Sequence, residues 1–371
     1  MSKFIKTLLI LFVFFSFNHV YAFDSSQDNP EIFEAKTISV KKTENIDDEF
    51  LGISQETQMI TAEIISGKDK GKIIELNNDY TMVLVGDKFF GQHYTNDGVE
   101  TYYFYELNRL PSIAFFTILF LFILFLFGGI QGIRGLVSLI GSLALIIYIL
   151  IPSILGGYSP ILVSLLVSSA IIVIGSFITH GFNKTTLSAV VGMMITIIIT
   201  GILASIAVHI SHLSGYSSEE AVYLNYNVDK KIDLAGLLLS GILIGLLGIL
   251  YDVAIGQAVA VEELLRANPK IKRATLYKRS IRIGREHIGA LVNTLAIAYV
   301  GVSLPLLLLF SSNNTESIPF TLNREIFATE IIRTLIGSIG LILAVPITTF
   351  IAIFFLTKAK KLSNSCSSYS Q

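Results

Sequence analysis

The sequence predicts a polytopic α-helical membrane protein of about seven spans, preceded by a small extracytoplasmic β-barrel-like domain. Three observations predict it. The chain is 52% hydrophobic and 15% charged, with a mean hydropathy of +0.67, which is too apolar for an ordinary soluble domain. Uncharged runs long enough to cross a bilayer recur from Pro111 to Thr357. Residues 23–109 are instead polar and broken into short β-prone runs by turn signals.

The N-terminus reads as a targeting element. Lys3 and Lys6 precede an apolar run from Leu8 to Phe17, and Val20-Tyr21-Ala22 offers a small-residue cleavage site. Residues 1–22 are therefore expected to be a signal peptide, or else an uncleaved anchor; either places the next segment outside. Within residues 23–109, Thr37–Val40, Met59–Ile65, Lys72–Leu76, Thr81–Val85 and Thr101–Tyr105 are the expected strands. Gly67–Gly71, Asn77-Asn78-Asp79, Gly86-Asp87 and Asn96-Asp97-Gly98 are turn signals between them. Several short strands in so few residues suggest a barrel or sandwich. His93, the lone histidine there, is expected to be exposed and solvated.

Residues 110–358 are expected to form the membrane domain and 359–371 a cytoplasmic tail. The expected spans are Pro111–Ile133, two within Gly135–Asn183 separated at Pro152–Pro160, Leu187–Val208, Leu234–Val261, Ile288–Phe310 and Thr334–Thr357. Loop charge tests their orientation. With the β domain outside, 13 Lys and Arg fall inside, eight of them in the 262–287 loop, against four outside, as the positive-inside rule requires. The implied location is the cytoplasmic (inner) membrane of a bacterium, with the C-terminus in the cytoplasm.

Asp252 is the most informative residue in these spans. It lies on one helical face with Gly241, Gly245, Gly248 and Gly256, at spacings of three and four. A carboxylate in a spanning segment faces a partner or a wet cavity, and small residues let another helix approach. Counting from Leu234 at about 1.5 Å per residue places it roughly 27 Å along, near the cytoplasmic end. Two readings fit: an ion or proton site, and a carboxylate at the interface paired with the basic loop. Asn293 and Thr294 are a second polar pair, in the sixth span, and His180 a third candidate, at the inner end of the third. His209 and His212 are a weak metal pair; no full metal site is expected.

Other classes are excluded. A net charge of −1 gives no basic excess for nucleic acid. Cys366 is the only cysteine, so neither an internal disulfide framework nor a cysteine metal site can form. No phosphate loop, HExxH or nucleophile–base spacing stands out, so neither enzyme activity nor a cofactor is expected.

The run Gly236-Leu237-Leu238-Leu239-Ser240-Gly241 through Gly245, Gly248 and Tyr251-Asp252-Val253 resembles the signature helix of YibE/F-like bacterial membrane proteins. Ile283-Gly284-Arg285, Asn293-Thr294-Leu295-Ala296 and Ser303-Leu304-Pro305 resemble a second signature. Many relatives carry two adjacent acids where this chain has Tyr251-Asp252. The resemblance implies a multi-pass architecture and leaves activity open. Two functions are carried forward: a transporter or channel component for a small solute or ion, and a scaffold or accessory subunit whose external domain binds a partner. The partners expected are the lipid bilayer and either a second membrane protein of the same family or another copy of the chain.

Overall fold

The computed structural model describes residues 31–42, 46–48, 53–55, 57–79, 81–96, 99–227, 232–312 and 317–367. The leader reading of residues 1–22 lies outside them. The chain forms two compact units, residues 1–122 and 123–371.

The first unit is built on a curled antiparallel sheet. Strands β1 (Glu31–Lys42), β4 (Gln58–Ile64), β5 (Ile73–Asn78), β6 (Lys88–Asn96) and β7 (Val99–Leu107) lie in the order β5-β4-β1-β6-β7; the short β2 (Ile46–Asp48) and β3 (Ile53–Gln55) pair separately. Alternation fixes its register. Phe33 and Ala35, then Ile60, Ala62 and Ile64, then Ile74 and Leu76, turn inward and are buried with Val83 and Phe89. The edge strands β5 and β7 come together, which curls the sheet into a half-barrel.

Two expectations about this sheet are corrected. β6 reads poorly as a strand because Gly91 interrupts it. The ring of Phe33 lies over that glycine, where an added Cβ would come within 2.3 Å of it. Thr81–Val85 is not a strand. The Gln58 amide donates to the Val83 carbonyl (3.1 Å) and accepts from the Val83 N–H (2.8 Å), so one side chain supplies the pairing a ladder would give.

Helix α1 spans Leu110–Leu155, with a π-helical turn at Ile146–Leu150. Then come α2 (Pro160–His180), α3 (Lys184–Ile210), α4 (Glu219–Asn227), α5 (Leu234–Ala267), α6 (Arg273–Val302), α7 (Leu304–Ser312), α8 (Ile318–Asn323) and α9 (Glu325–Ser367). Among the described residues five helices are long and apolar enough to cross a membrane, or six if α6 and α7, bent by 70°, count as one. The expected seven differ from this where the first two spans meet. Arg134 stays helical, and α1 runs on for 46 residues, about twice the length one crossing needs. The break lies earlier, at Gly129, with φ 51° and ψ −141°. The 262–287 segment is likewise no loop: α5 and α6 extend into it, leaving only residues 268–272 between them.

Close helix contacts in the second unit are made by small residues on α3 and α9. A Cβ at Gly192 would lie 2.5 Å from Thr348 Oγ1, and one at Gly340 2.5 Å from Thr200 Oγ1. Met193, Ile197, Leu246, Leu250, Leu276 and Leu341 fill the core around this contact with no measurable exposure.

Candidate functional site

The site is assembled where the end of α2 meets the middle of α5. Helix α2 stops at His180 because Gly181 (φ 76°) turns the chain. Asn183 then caps α3 by accepting from the Thr186 N–H at 2.7 Å, and its amide donates to the His180 carbonyl at 3.1 Å. These bonds fix His180 at a rigid corner. Its Nδ1 lies 3.0 Å from the Tyr251 hydroxyl, which also reaches the Gly175 carbonyl at 3.4 Å. One residue on, Asp252 lies within electrostatic reach of His180. Tyr251 and His180 are thus joined, a phenol–imidazole pair able to hold or pass a proton, with Asp252 the next residue of α5. Nearby, Thr185 donates to Glu262 at 2.5 Å, and Glu262 pairs with Arg266 at 2.6 Å. Among the described residues, Asp252 itself forms no ion pair with a lysine or arginine of the basic segment.

Among the described residues the glycine face of α5 is open. Gly241, Gly248 and Gly256 have no atom within 4 Å of an added Cβ, and Gly245 meets only the Tyr299 hydroxyl. Asp252 is exposed on this same face. Within the chain, a close helix–helix approach is made between α3 and α9. Asn293 and Thr294 are exposed on α6, and the Thr294 hydroxyl donates to its own helix at Ala290. Two contacts set the register of the α5–α6 hairpin: Gln257 with Ser280 and Gly284, and Gly245 with Tyr299. Interpolating between them brings Asp252 level with residues 289–292, within about a helical turn of Asn293.

His209 and His212 do come together with a carboxylate. With Ser205, Asp233 and Gly236 they line an open cavity of about 390 Å³. Asp233 is engaged there in capping α5, accepting from the Gly236 N–H at 2.9 Å. Among the described residues no group of three or more His, Cys, Asp or Glu side chains is arranged to hold a metal.

Two polar clusters escape a sequence reading. Gln257 is buried between α5, α6 and α9, donating to the Ser280 carbonyl (2.9 Å) and to Thr349 Oγ1 (2.6 Å). The second corrects the expectation for His93. Its side chain is only 11% exposed and its ring stacks on Tyr102 at 4.6 Å, with Asp69 3.8 Å away. Tyr102 also binds Lys72 (2.8 Å), and Lys72 pairs with Glu100. Neither cluster has a local signal, because each joins residues from separate strands or helices. Only the uncharged context of Gln257 could have marked it.

Apolar spanning-length helices joined in sequence to a half-barrel define a membrane-protein architecture with an appended β domain. The chain belongs to a family described as YibE/F-like protein, whose model matches residues 116–358, and the YibE/F family N-terminal domain matches residues 27–93. Comparisons with curated proteins and with solved structures give no match.

Proposed function

We propose that this protein is a component of a transporter or channel for a small solute or ion, with Asp252 on the path and Asn293, Thr294 and His180 beside it. The observation that carries this reading is Asp252 itself. It is an exposed carboxylate within an apolar helix, next in sequence to Tyr251 of the Tyr251–His180 pair and on a glycine face that is open among the described residues. In a bilayer such a group faces water or a partner, because lipid does not solvate it. Counting α1 as two crossings about Gly129 gives seven spans, with the half-barrel outside, the basic ends of α5 and α6 in the cytoplasm, and the cytoplasmic membrane as location.

The test is flux in proteoliposomes carrying wild type or Asp252→Asn. We expect Asp252→Asn to lose most solute- or proton-dependent flux while keeping its oligomeric state and thermal stability. Wild-type flux in that variant removes Asp252 from the mechanism. The open face of α5 also favours a second reading, a scaffold in which Gly241 and Gly248 receive a helix of a partner and no solute moves. That reading expects Asp252→Asn to behave as wild type and Gly248→Leu to lose the partner in a pull-down.

A further inference from the structure

The end of the half-barrel from which α1 departs carries an apolar turn that is exposed among the described residues. Only Asn108 and Arg109 separate β7 from α1. Asn108 fastens the junction: its backbone N–H donates to the Lys88 carbonyl (2.8 Å), its carbonyl oxygen Oδ1 accepts from the Leu110 N–H (3.0 Å), and its amide donates to Glu34 (2.7 Å). Phe89 pairs with Leu107, so residues 84–87 continue β6 past the sheet on the side where β7 leaves it. The path from Asn108 back to Leu84 is four residues beyond Lys88, no more than roughly 14 Å.

Leu84–Asp87 is a tight turn, closed by Asp87 N–H to the Leu84 carbonyl (3.1 Å) and by the Leu84 N–H to Asp87 Oδ2 (2.9 Å). Gly86, at φ 96°, supplies the positive φ that the third position requires. Gly86 and Asp87 therefore meet the turn's needs. Leu84 and Val85 do not serve it, and they are 71% and 66% exposed. Met82 and Ile38 extend the patch. Lys41 lies toward the end of β1, and Lys36 stands opposite Lys88, which is 4.0 Å from Glu34.

We infer that this turn rests in the headgroup region of the membrane that α1 enters, with Leu84 and Val85 reaching the acyl boundary and Lys36 and Lys41 toward lipid phosphates. An apolar tip with cations beside it is the pattern of an interfacial anchor, and the two-residue link to a spanning helix holds it at that depth. The inference rests on α1 crossing the bilayer and is independent of transport.

The test uses the full chain in nanodiscs, on a Cys366→Ser background, with an environment-sensitive fluorophore at single cysteines and lipids carrying quenchers near the headgroup. Leu84→Cys and Val85→Cys are expected to give blue-shifted, quenched emission. Ile73→Cys, 64% exposed and next to Lys72, whose pair with Glu100 lies toward the start of β7 and away from Leu107, is expected to remain unquenched. Phe116→Cys on α1 is the positive control. Quenching at Phe116 but none at Leu84 or Val85 beyond that at Ile73 overturns the inference and leaves the span intact; no quenching at Phe116 overturns both. Quenching equal at Leu84 and Ile73 also overturns it, since no particular end then faces lipid.

Discussion

Gln257 and Gly284 share one crowded position, and their replacements should behave oppositely. The partners of Gln257 have other bonds: the Thr349 hydroxyl already donates to the Val345 carbonyl at 2.7 Å, and the Ser280 carbonyl sits within a continuous helix. Gln257→Leu therefore creates no unsatisfied partner, and we expect a change within about 1 kcal/mol. A Cβ at Gly284 would lie 2.4 Å from Val345 Cγ1 and 2.8 Å from Gln257 Oε1. Valine is branched at Cβ and cannot swing aside freely, so Gly284→Ala should cost about 1–3 kcal/mol. Thermal unfolding of the purified protein in one detergent ranks the two; equal losses would contradict the packing described. Gly284 belongs to a motif legible in the sequence, but its reason is not local. The crowding comes from α9, some sixty residues later. His93 teaches the same lesson: a lone histidine reads as solvated until strand pairing sets Tyr102 over it.

At the scale of elements, two sets of glycines look alike in sequence and differ in what they touch. Gly192 and Gly340 meet threonines across the α3–α9 contact; Gly241 and Gly248 meet open space. Gly192→Leu should consequently destabilise the folded chain by about 1–3 kcal/mol or more. Gly248→Leu should leave the stability of an isolated copy unchanged and alter only assembly. Thermal unfolding and size-exclusion chromatography in parallel separate the two effects, and unfolding by Gly248→Leu would mean that this face is packed. Hydropathy located α2, α3, α5 and α9 well, since apolar runs of spanning length leave few alternatives. It misplaced what depends on cooperation between residues. The basic segment is helical because neighbouring spans extend through it. Thr81–Val85 is β-prone but held in a loop by Gln58. Asp252 and His180 were both legible as polar residues in apolar surroundings; that Tyr251 links them was not, because their approach depends on how α2 packs on α5.

In the whole molecule, two units rest on different physics, and pH should separate them. The second unit is held by apolar contacts and small-residue packing, which do not titrate. The half-barrel is closed across β5 and β7 by charged side chains: Lys72 binds Glu100 and Tyr102, and the Tyr102 hydroxyl also lies 3.1 Å from Asp69. The hydrogen bond from Lys72, followed by that from Tyr102, holds Glu100 below the ordinary glutamate value of 4.5. The hydrogen bond to Glu100, followed by that to Tyr102, raises Lys72 above the ordinary lysine value of 10.5. A carboxylate with a depressed pKa contributes stability above its unfolded value and loses it as pH falls through the folded one. A raised lysine contributes below its unfolded value and loses that contribution as pH rises through its folded one. The clasp should therefore be at full strength between 4.5 and 10.5 and weaken on either side. Both groups are solvent-exposed, so the effect is modest and screened by salt. Circular dichroism of the full chain should show a β-unit transition that falls to lower temperature below pH 4.5, with the helical transition steady. Lys72→Met should lower the β transition at neutral pH and flatten the part of its acid dependence that comes from Glu100. An acid dependence unchanged by Lys72→Met would show that other carboxylates, not this clasp, hold the half-barrel closed.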